Sequence, residues 1–395
     1  MSSKTVVLGV CGGIAAYKAL DVVSRLKKKN FDVHVIMTES ACEFVTPLSF
    51  QSLSQNMVIK DMFDEPKAWE IQHISLAKKA DLMLIVPATA NVIGKVANGI
   101  ADDMLSTTIM ATKAPVVFSP AMNTNMYKNP IVQANIEKLK GFGYTFINPD
   151  SGRLACGDNG EGKLPDTSYI AEYVTSMLYD IKDLKGKKVL VTAGPTVAPV
   201  DPVRFIGNNS SGKMGYAIAE EARDRGAEVT LISGPCELKA PFGLNIVNVN
   251  TTEEMYNSVL EHFDDSNIVI KAAAVADYKP KVYSEKKIKK SEDDLTIEFE
   301  RSRDILKTLG EKKTNQILVG FAAESNDLIE NATKKIKKKN LDYIVANDIT
   351  QKDTGFSSDD NLVTILSKYG DSYTLDKMPK KLVARELFNL LCKKR

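Results

Sequence analysis

Two stretches of this chain begin alike, and that shared opening limits what it can fold into. Thr5–Val10 (TVVLGV) runs into Gly12-Gly13-Ile14-Ala15-Ala16, then a helix-like stretch, then Asp32–Met37 (DVHVIM). Lys188–Thr192 (KVLVT) runs into Ala193-Gly194-Pro195-Thr196, and after a long loop a helix at about Gly215–Arg225 leads to Glu228–Ile232 (EVTLI). Each is strand, glycine turn, helix, strand, the unit that builds a parallel sheet. Further short apolar runs suit central strands covered on both faces: Asp81–Val86 and Val116–Ser119, then Ile268–Ala272, Ile317–Phe321 and Tyr343–Ala346. A chain of 395 residues exceeds one typical core, and the charged, glycine-containing Asp180–Lys188 (DIKDLKGKK) marks a boundary. Residues 1–186 and 187–395 therefore read as two doubly wound, Rossmann-like α/β domains.

Composition removes several classes of function. The net charge of +2, from 52 basic and 50 acidic residues, gives nucleic-acid binding no support. No stretch is long and apolar enough to span a bilayer, and MSSKTVVLGVCGG enters a strand where a signal peptide would need an apolar core. The five cysteines are scattered, odd in number and without CxxC spacing, which points to a reducing compartment and against a structural zinc site. The expectation is a cytoplasmic protein with small-molecule substrates and neither nucleic-acid nor membrane partners.

Glycines after a first strand let the backbone approach a phosphate that the following helix N-terminus favours. Neither half matches G-x-G-x-x-G, so a mononucleotide such as flavin mononucleotide (FMN), or a nucleoside triphosphate, fits as well as a dinucleotide; a plain tight turn is the bland alternative. Gly207-Asn-Asn-Ser-Ser-Gly212-Lys213-Met214 has P-loop spacing, but Met214 stands where Ser or Thr must bind magnesium. The Walker A reading is rejected. An amide- and hydroxyl-rich loop ahead of a helix remains a good anion or acyl-group site.

More specific are Ser119-Pro120-Ala121-Met122-Asn123-Thr124-Asn125-Met126-Tyr127, Pro87-Ala88-Thr89-Ala90-Asn91, Gln72-His73-Ile74 and Gly152-Arg153-Leu154-Ala155-Cys156-Gly157. Together they resemble the homo-oligomeric flavin-containing cysteine decarboxylases, whose domain is flavodoxin-like. The second half resembles phosphopantothenate–cysteine ligase, and the whole resembles the bacterial family in which the two are fused, from about Lys4 to about Leu391. The resemblance implies two consecutive steps of coenzyme A synthesis. The ligase half would join 4'-phosphopantothenate to cysteine with CTP and magnesium, through an acyl-cytidylate. The other half would decarboxylate the product to 4'-phosphopantetheine with FMN.

The resemblance also implies roles for individual residues. His73 is the base, a residue type that titrates near neutrality; Asn123 would hydrogen-bond the departing carboxylate; Cys156 would return a proton, from a glycine-containing flap at Gly152–Lys163. FMN would meet Gly13, Ile14 and Ala15, Thr38, Ala88, Thr89, Ala90 and Asn91, all at strand C-terminal ends, with Ser106 a further candidate. In the ligase half Lys287 of Lys287-Ile288-Lys289-Lys290 would hold phosphate, Asp277 the base or ribose, Ala273 the pocket wall and Phe321 the base. Lys335 and Lys339 complete the nucleotide site, while Asn208 and Arg204 handle the acyl intermediate and anionic groups. The metal ligands stay unassigned. Trimer-based decarboxylases and paired ligases imply a dodecamer. Rival readings are a flavin decarboxylase of another cysteinyl substrate and a non-catalytic regulatory flavoprotein; the fused ligase half opposes the first and Cys156 the second.

Overall fold

The computed structural model describes residues 4–63, 71–289, 295–324, 328–348 and 358–393. The chain forms two compact units, Met1–Leu178 and Tyr179–Arg395. In the first, strands β1 (Thr5–Val10), β2 (Asp32–Met37), β3 (Leu82–Ala88), β4 (Val116–Pro120) and β5 (Thr145–Phe146) form one sheet in the order β2-β1-β3-β4-β5. Every pairing in it is parallel. β1 is buried throughout because its alternate residues serve two cores. Val6, Leu8 and Val10 pack with helices Ala16–Lys28 and Thr167–Met177. Val7 faces the opposite layer, with Met83, Ile93, Leu105 and Leu139. Helix Ala16–Lys28 buries Ala16, Ala19, Val22, Val23 and Leu26, a helical-period stripe, and places Arg25, Lys27 and Lys28 at its C-terminal end, where cations suit the dipole. An antiparallel hairpin, β6 (Asp150–Arg153) and β7 (Asn159–Lys163), follows the sheet.

The second unit opens with β8 (Lys188–Ala193) and a small hairpin of β9 (Val197–Pro199) with β10 (Phe205–Gly207). Then come β11 (Glu228–Ser233), β12 (Asn245–Asn248) and β13 (Ile268–Lys271), with β14 (Tyr278–Pro280) and β15 (Phe299–Arg301) forming a second small hairpin. β16 (Ile317–Glu324), β17 (Tyr343–Asp348), β18 (Asp360–Asn361), β19 (Val363–Ser367), β20 (Ser372–Thr374) and β21 (Met378–Pro379) complete it. The main sheet runs β12-β11-β8-β13-β16-β17-β19-β20. Its first six strands are parallel and β19 and β20 add an antiparallel edge, which the sequence reading did not anticipate.

The segment after Leu178 belongs to this unit. Tyr179 Oη donates to Glu221 at 2.6 Å, Leu184 is buried in the core, and Asp183 meets Arg225 at 3.0 Å. Arg225 has no exposed surface; it donates to Glu221 at 2.7 Å, to the Arg385 carbonyl and to Asn389, and lies over the Phe388 ring. Its charge thus ties the helix Lys213–Asp224 to the C-terminal helix Lys380–Leu391. Removing one partner of such a network strands the others without water. Arg225→Ala is expected to lower the stability of this unit by about 3–5 kcal/mol in urea unfolding; a change under about 1 kcal/mol, the range of an exposed ion pair, would show that the network is incidental.

Candidate functional site

In an open parallel sheet, ligands gather beyond the strand C-termini where the strand order reverses. In the first unit that point lies between β1 and β3, and a cavity of about 1290 Å³ opens there. Its wall includes Gly12, Gly13, Ile14 and Ala15, Thr38, Thr89, Ala90 and Asn91, and Asn123 and Cys156. Helix Ala16–Lys28 enters from Ala15 with no side-chain cap; Ala16 N and Lys18 N donate to the Gly13 and Ala15 carbonyls, and the positive end of the helix faces the cavity. A side chain at Gly12 would strike Ser40, its Cβ coming within 2.3 Å, whereas one at Gly13 would meet nothing within 4 Å. The turn is therefore closed on one side and open on the other. Thr38 and Thr89 cap the helices that leave β2 and β3, accepting from Ala41 and Val92. Below them Cys11 is fully buried, and burial pushes its thiol up to about 12, so it stays a neutral packing group. An uncapped helix start beside glycines and hydroxyls, in a cavity of this size, fits a flavin mononucleotide.

The β6–β7 hairpin contributes Arg153–Cys156, Gly162 and Lys163 to the wall of this cavity, and two of its glycines hold it there. Met122 N donates to the Gly162 carbonyl at 3.0 Å. A Cβ on Gly162 would lie 2.2 Å from the Met122 carbonyl oxygen, and φ is +133° there; one on Gly160 would lie 2.6 Å from Thr124 Oγ1. Both residues permit close contact with the Met122–Thr124 loop. The hairpin tip carries Cys156, which is exposed. Asn123 Oδ1 accepts from Asn125 N at 2.8 Å, which turns the amide nitrogen toward the tip. Nδ2 then donates to Asp158 Oδ2 at 3.0 Å and to Cys156 Sγ at 3.4 Å, while the thiol donates to Asp158 Oδ2 at 3.4 Å.

In the second unit the order reverses between β8 and β13, and the loop after β13 lies against the glycine turn after β8. Ala274 N donates to the Gly194 carbonyl at 2.9 Å, and Ala276 N to Thr196 Oγ1 at 2.9 Å. Asn208 Nδ2 reaches the carbonyls of Val275 and Ala274, at 2.9 and 3.3 Å. Asp201, buried, organises the neighbouring strap. Burial alone would raise its carboxyl, but the amides of Val203, Arg204 and Ile288 and the Arg204 charge outweigh it and hold the carboxyl below the usual range. The Arg204 guanidinium in turn donates to the Ile288 carbonyl at 3.2 Å. Ile288 is held from both sides, which presents its neighbours Lys287 and Lys289, both exposed. Lys339 pairs with Asp304 at 2.9 Å, the N-cap of helix Ile305–Lys312. Lys271, at the end of β13, is half-buried; desolvation and then the Lys339 charge lower its amine to about 8.

Comparisons with known proteins divide the chain in the same way. Residues 1–179 match the flavoprotein family model, and residues 184–394 match the DNA/pantothenate metabolism flavoprotein C-terminal domain. Over 390 residues the chain is 50% identical to the coenzyme A biosynthesis bifunctional protein CoaBC of Bacillus subtilis, covering 98% of this chain and 96% of the relative. The chain belongs to the coenzyme A biosynthesis bifunctional protein family. The Escherichia coli member is 44% identical over 375 residues, covering 94% of this chain and 92% of its own. Among solved structures, a C-terminal domain of CoaBC is 46% identical, covers 53% of this chain and 96% of its own, and superposes with a TM-score of 0.47. A PPC decarboxylase mutant complexed with pantothenoylaminoethenethiol is 32% identical, covers 44% of this chain and 96% of its own, with a TM-score of 0.40.

In the first unit of this family member the structure brings most of the expected residues together and sets three apart. Gly13, Ile14, Ala15, Thr38, Thr89, Ala90, Asn91, Asn123 and Cys156 share the cavity wall. Ala88 is buried in β3 and Ser106 is enclosed in a capping box with Asp103; neither lines the cavity, because each is consumed by packing or capping. His73, half-buried in the first turn of helix Gln72–Lys79, also lies outside the wall. In the second unit Ala273 is buried and Asp277 is exposed, while Phe321 on β16, Lys335 on helix Leu328–Lys338 and Lys339 just after that helix are half-buried. Lys290 lies outside the described residues. The sequence reading missed Asp158, Asp201, Lys271 and Asp304. Asp158 carried a usable signal, since residues two apart at a hairpin tip can face one another. Gly162→Ala is expected to cost about 1–3 kcal/mol of local strain and unseat the hairpin. Tryptic cleavage after Arg153 or Lys163 should then become several-fold faster, and an unchanged rate would mean that the Met122 contact does not hold the flap.

Proposed function

We propose that the chain catalyses two consecutive steps of coenzyme A synthesis. Residues 187–395 join 4'-phosphopantothenate to cysteine with CTP, and residues 1–186 decarboxylate the product to 4'-phosphopantetheine with FMN. The observation that carries the reading is the meeting of Asn123 and Cys156 at 3.4 Å over a cavity at the β1/β3 switch point. A packing role explains neither an amide turned by its own backbone toward a thiol nor a thiol exposed on a hairpin.

Bound flavin would accept two electrons from the cysteinyl end of the substrate, which makes loss of carbon dioxide easy, and return them afterwards. The protein's own contributions are separable. Gly13, Ile14, Ala15, Thr38 and Thr89–Asn91 would hold the cofactor, with its phosphate at the uncapped start of helix Ala16–Lys28. Asn123 Nδ2 offers hydrogen bonds to the carboxylate without neutralising it, so the group remains able to leave. Cys156 supplies a proton to the enethiol carbon. The base role rests on the residue chemistry of His73.

In the ligase step the carboxylate of phosphopantothenate attacks the α-phosphorus of CTP, releasing pyrophosphate. The cysteine amine then displaces CMP from the acyl-cytidylate. Lys287, whose neighbour Ile288 is fixed by Asp201 and Arg204, would face the triphosphate, and magnesium would offset the charge that builds on the phosphates. Asn208 and Arg204 attend the acyl group; Asp277, Ala273, Phe321, Lys335 and Lys339 form the nucleotide pocket. A cytoplasmic dodecamer, built from decarboxylase trimers and ligase pairs, completes the reading.

Cys156→Ser separates the decarboxylase half-reactions, because a hydroxyl is a far weaker acid than a thiol, whose reference pKa is about 8.5. Carbon dioxide is still released, the flavin colour stays bleached and an enethiol product accumulates; full turnover in this variant would move the donor role elsewhere. Lys287→Gln removes a charged contact that strengthens as the acyl-nucleotide forms. It should slow acyl-cytidylate formation by about thirty- to a thousandfold, on the order of 2–4 kcal/mol, with decarboxylation unchanged. Acyl-cytidylate formed at the wild-type rate would remove Lys287 from the phosphate site.

A further inference from the structure

The decarboxylase reading gives Asn123 and Cys156 tasks but leaves unexplained why a third group, Asp158, touches both. Asp158 sits two residues beyond Cys156 on the far side of the hairpin tip, and the tip is closed by its own backbone. Leu154 N donates to the Asp158 carbonyl at 2.8 Å, and Gly157 N donates to the Leu154 carbonyl at 3.0 Å. Gly157 takes φ +93°, a turn conformation that glycine adopts without strain. This geometry folds the Asp158 side chain back over Cys156. One carboxylate oxygen, Oδ2, accepts both from Asn123 Nδ2, at 3.0 Å, and from Cys156 Sγ, at 3.4 Å.

We infer that Asp158 is the positioning residue of the proton-returning step, holding the Cys156 sulfur over the cavity and the Asn123 amide in the orientation that serves it. The inference rests on the decarboxylase reading given above. Sulfur is a weak acceptor, so the Asn123 hydrogen directed at Cys156 is the one a substrate carboxylate can take over, while the shorter bond to Asp158 keeps the amide in place. The thiol hydrogen rests on Asp158. Rotation about the Cβ–Sγ bond turns it toward the cavity without moving the sulfur. In the transfer the S–H bond breaks and a C–H bond forms on the enethiol carbon. The sulfur keeps the bonding pair and later regains a proton from water, and the two electrons that reduce the double bond are those returned by the flavin.

The test uses the full-length, flavin-containing enzyme with Asp158→Ala, Asp158→Asn and Cys156→Ser. Losing one hydrogen-bond acceptor, Asp158→Ala should slow reduction of the enethiol about tenfold while leaving carbon dioxide release within about twofold of wild type. Asp158→Asn keeps an acceptor oxygen and should recover most of that loss. A second readout does not depend on turnover: alkylation of Cys156 by iodoacetamide in flavin-depleted protein, followed by mass spectrometry. Taking a negative charge away from the sulfur should speed alkylation about threefold or more in both Asp158 variants. Recovery of reduction without recovery of the slow alkylation separates the acceptor role from the charge. Tryptic cleavage after Arg153 and Lys163 reports whether the hairpin stays seated. Asp158→Ala with both half-reactions and alkylation at wild-type values would overturn the inference, as would equal slowing of both half-reactions with faster cleavage, the mark of a merely structural residue. Complete turnover by Cys156→Ser would instead sink the underlying reading of Cys156, a result distinct from either.

Discussion

Parallel pairing of one strand with two neighbours is the constraint on which the rest depends. β1 pairs with β2 and β3, and β8 with β11 and β13, all in parallel. Parallel neighbours need a crossover each, and crossovers leaving in opposite directions from a central strand open a crevice at its C-terminal end. The crevice comes with glycine turns and helix starts already facing it. The cavity of the first unit and the Asn208–Val275 contact of the second both lie at such a point. Two unrelated chemistries can therefore occupy the same kind of position, each defined by the loops that its own sheet exposes there.

What differs between the units is how a peripheral element is tied to that position. In the first, a two-stranded hairpin reaches the Met122–Thr124 loop through glycines that let backbone approach backbone. It delivers a thiol and a carboxylate to an amide fixed by its own helix cap. In the second, a single buried carboxylate does the tying. Asp201 gathers the amides of Val203, Arg204 and Ile288, and Arg204 returns to the Ile288 carbonyl. A carboxylate that accepts several amides is stable when buried because those donors replace its water. The result is a strap whose exposed lysines are placed by backbone hydrogen bonds and need no side-chain contact of their own.

Two charged clusters of the second unit have opposite characters. Arg225, Glu221 and Asp183 form a buried network whose function is to join helices and close the core. Lys271, Lys339 and Asp304 lie instead at the C-terminal end of β13, with an amine whose charge is weakened by desolvation and by a like charge nearby. The first arrangement resists change. The second leaves cationic groups whose favourable partner is an incoming anion.

The sequence by itself determined the architecture and the chemistry at hand. Apolar runs located β1 and β2 to the residue, because buried parallel strands are nearly continuous in apolar residues. Asn123, Cys156 and Lys287 became candidates through loop motifs that resemble those of the family. Tertiary structure alone decided which of these groups meet. Ala88 and Ser106 look like their neighbours in sequence, yet packing and capping take them out of the cavity wall. The edge strands β19 and β20 are too short and mixed in composition to declare themselves before a partner strand pairs with them. Sequence places Asp158 only two residues from Cys156; the turn at Gly157 reverses the chain and sets its carboxylate against both Asn123 and Cys156. Periodicity and residue type are local properties of a chain, whereas a hydrogen bond between residues 35 apart exists only once the backbone has brought them together.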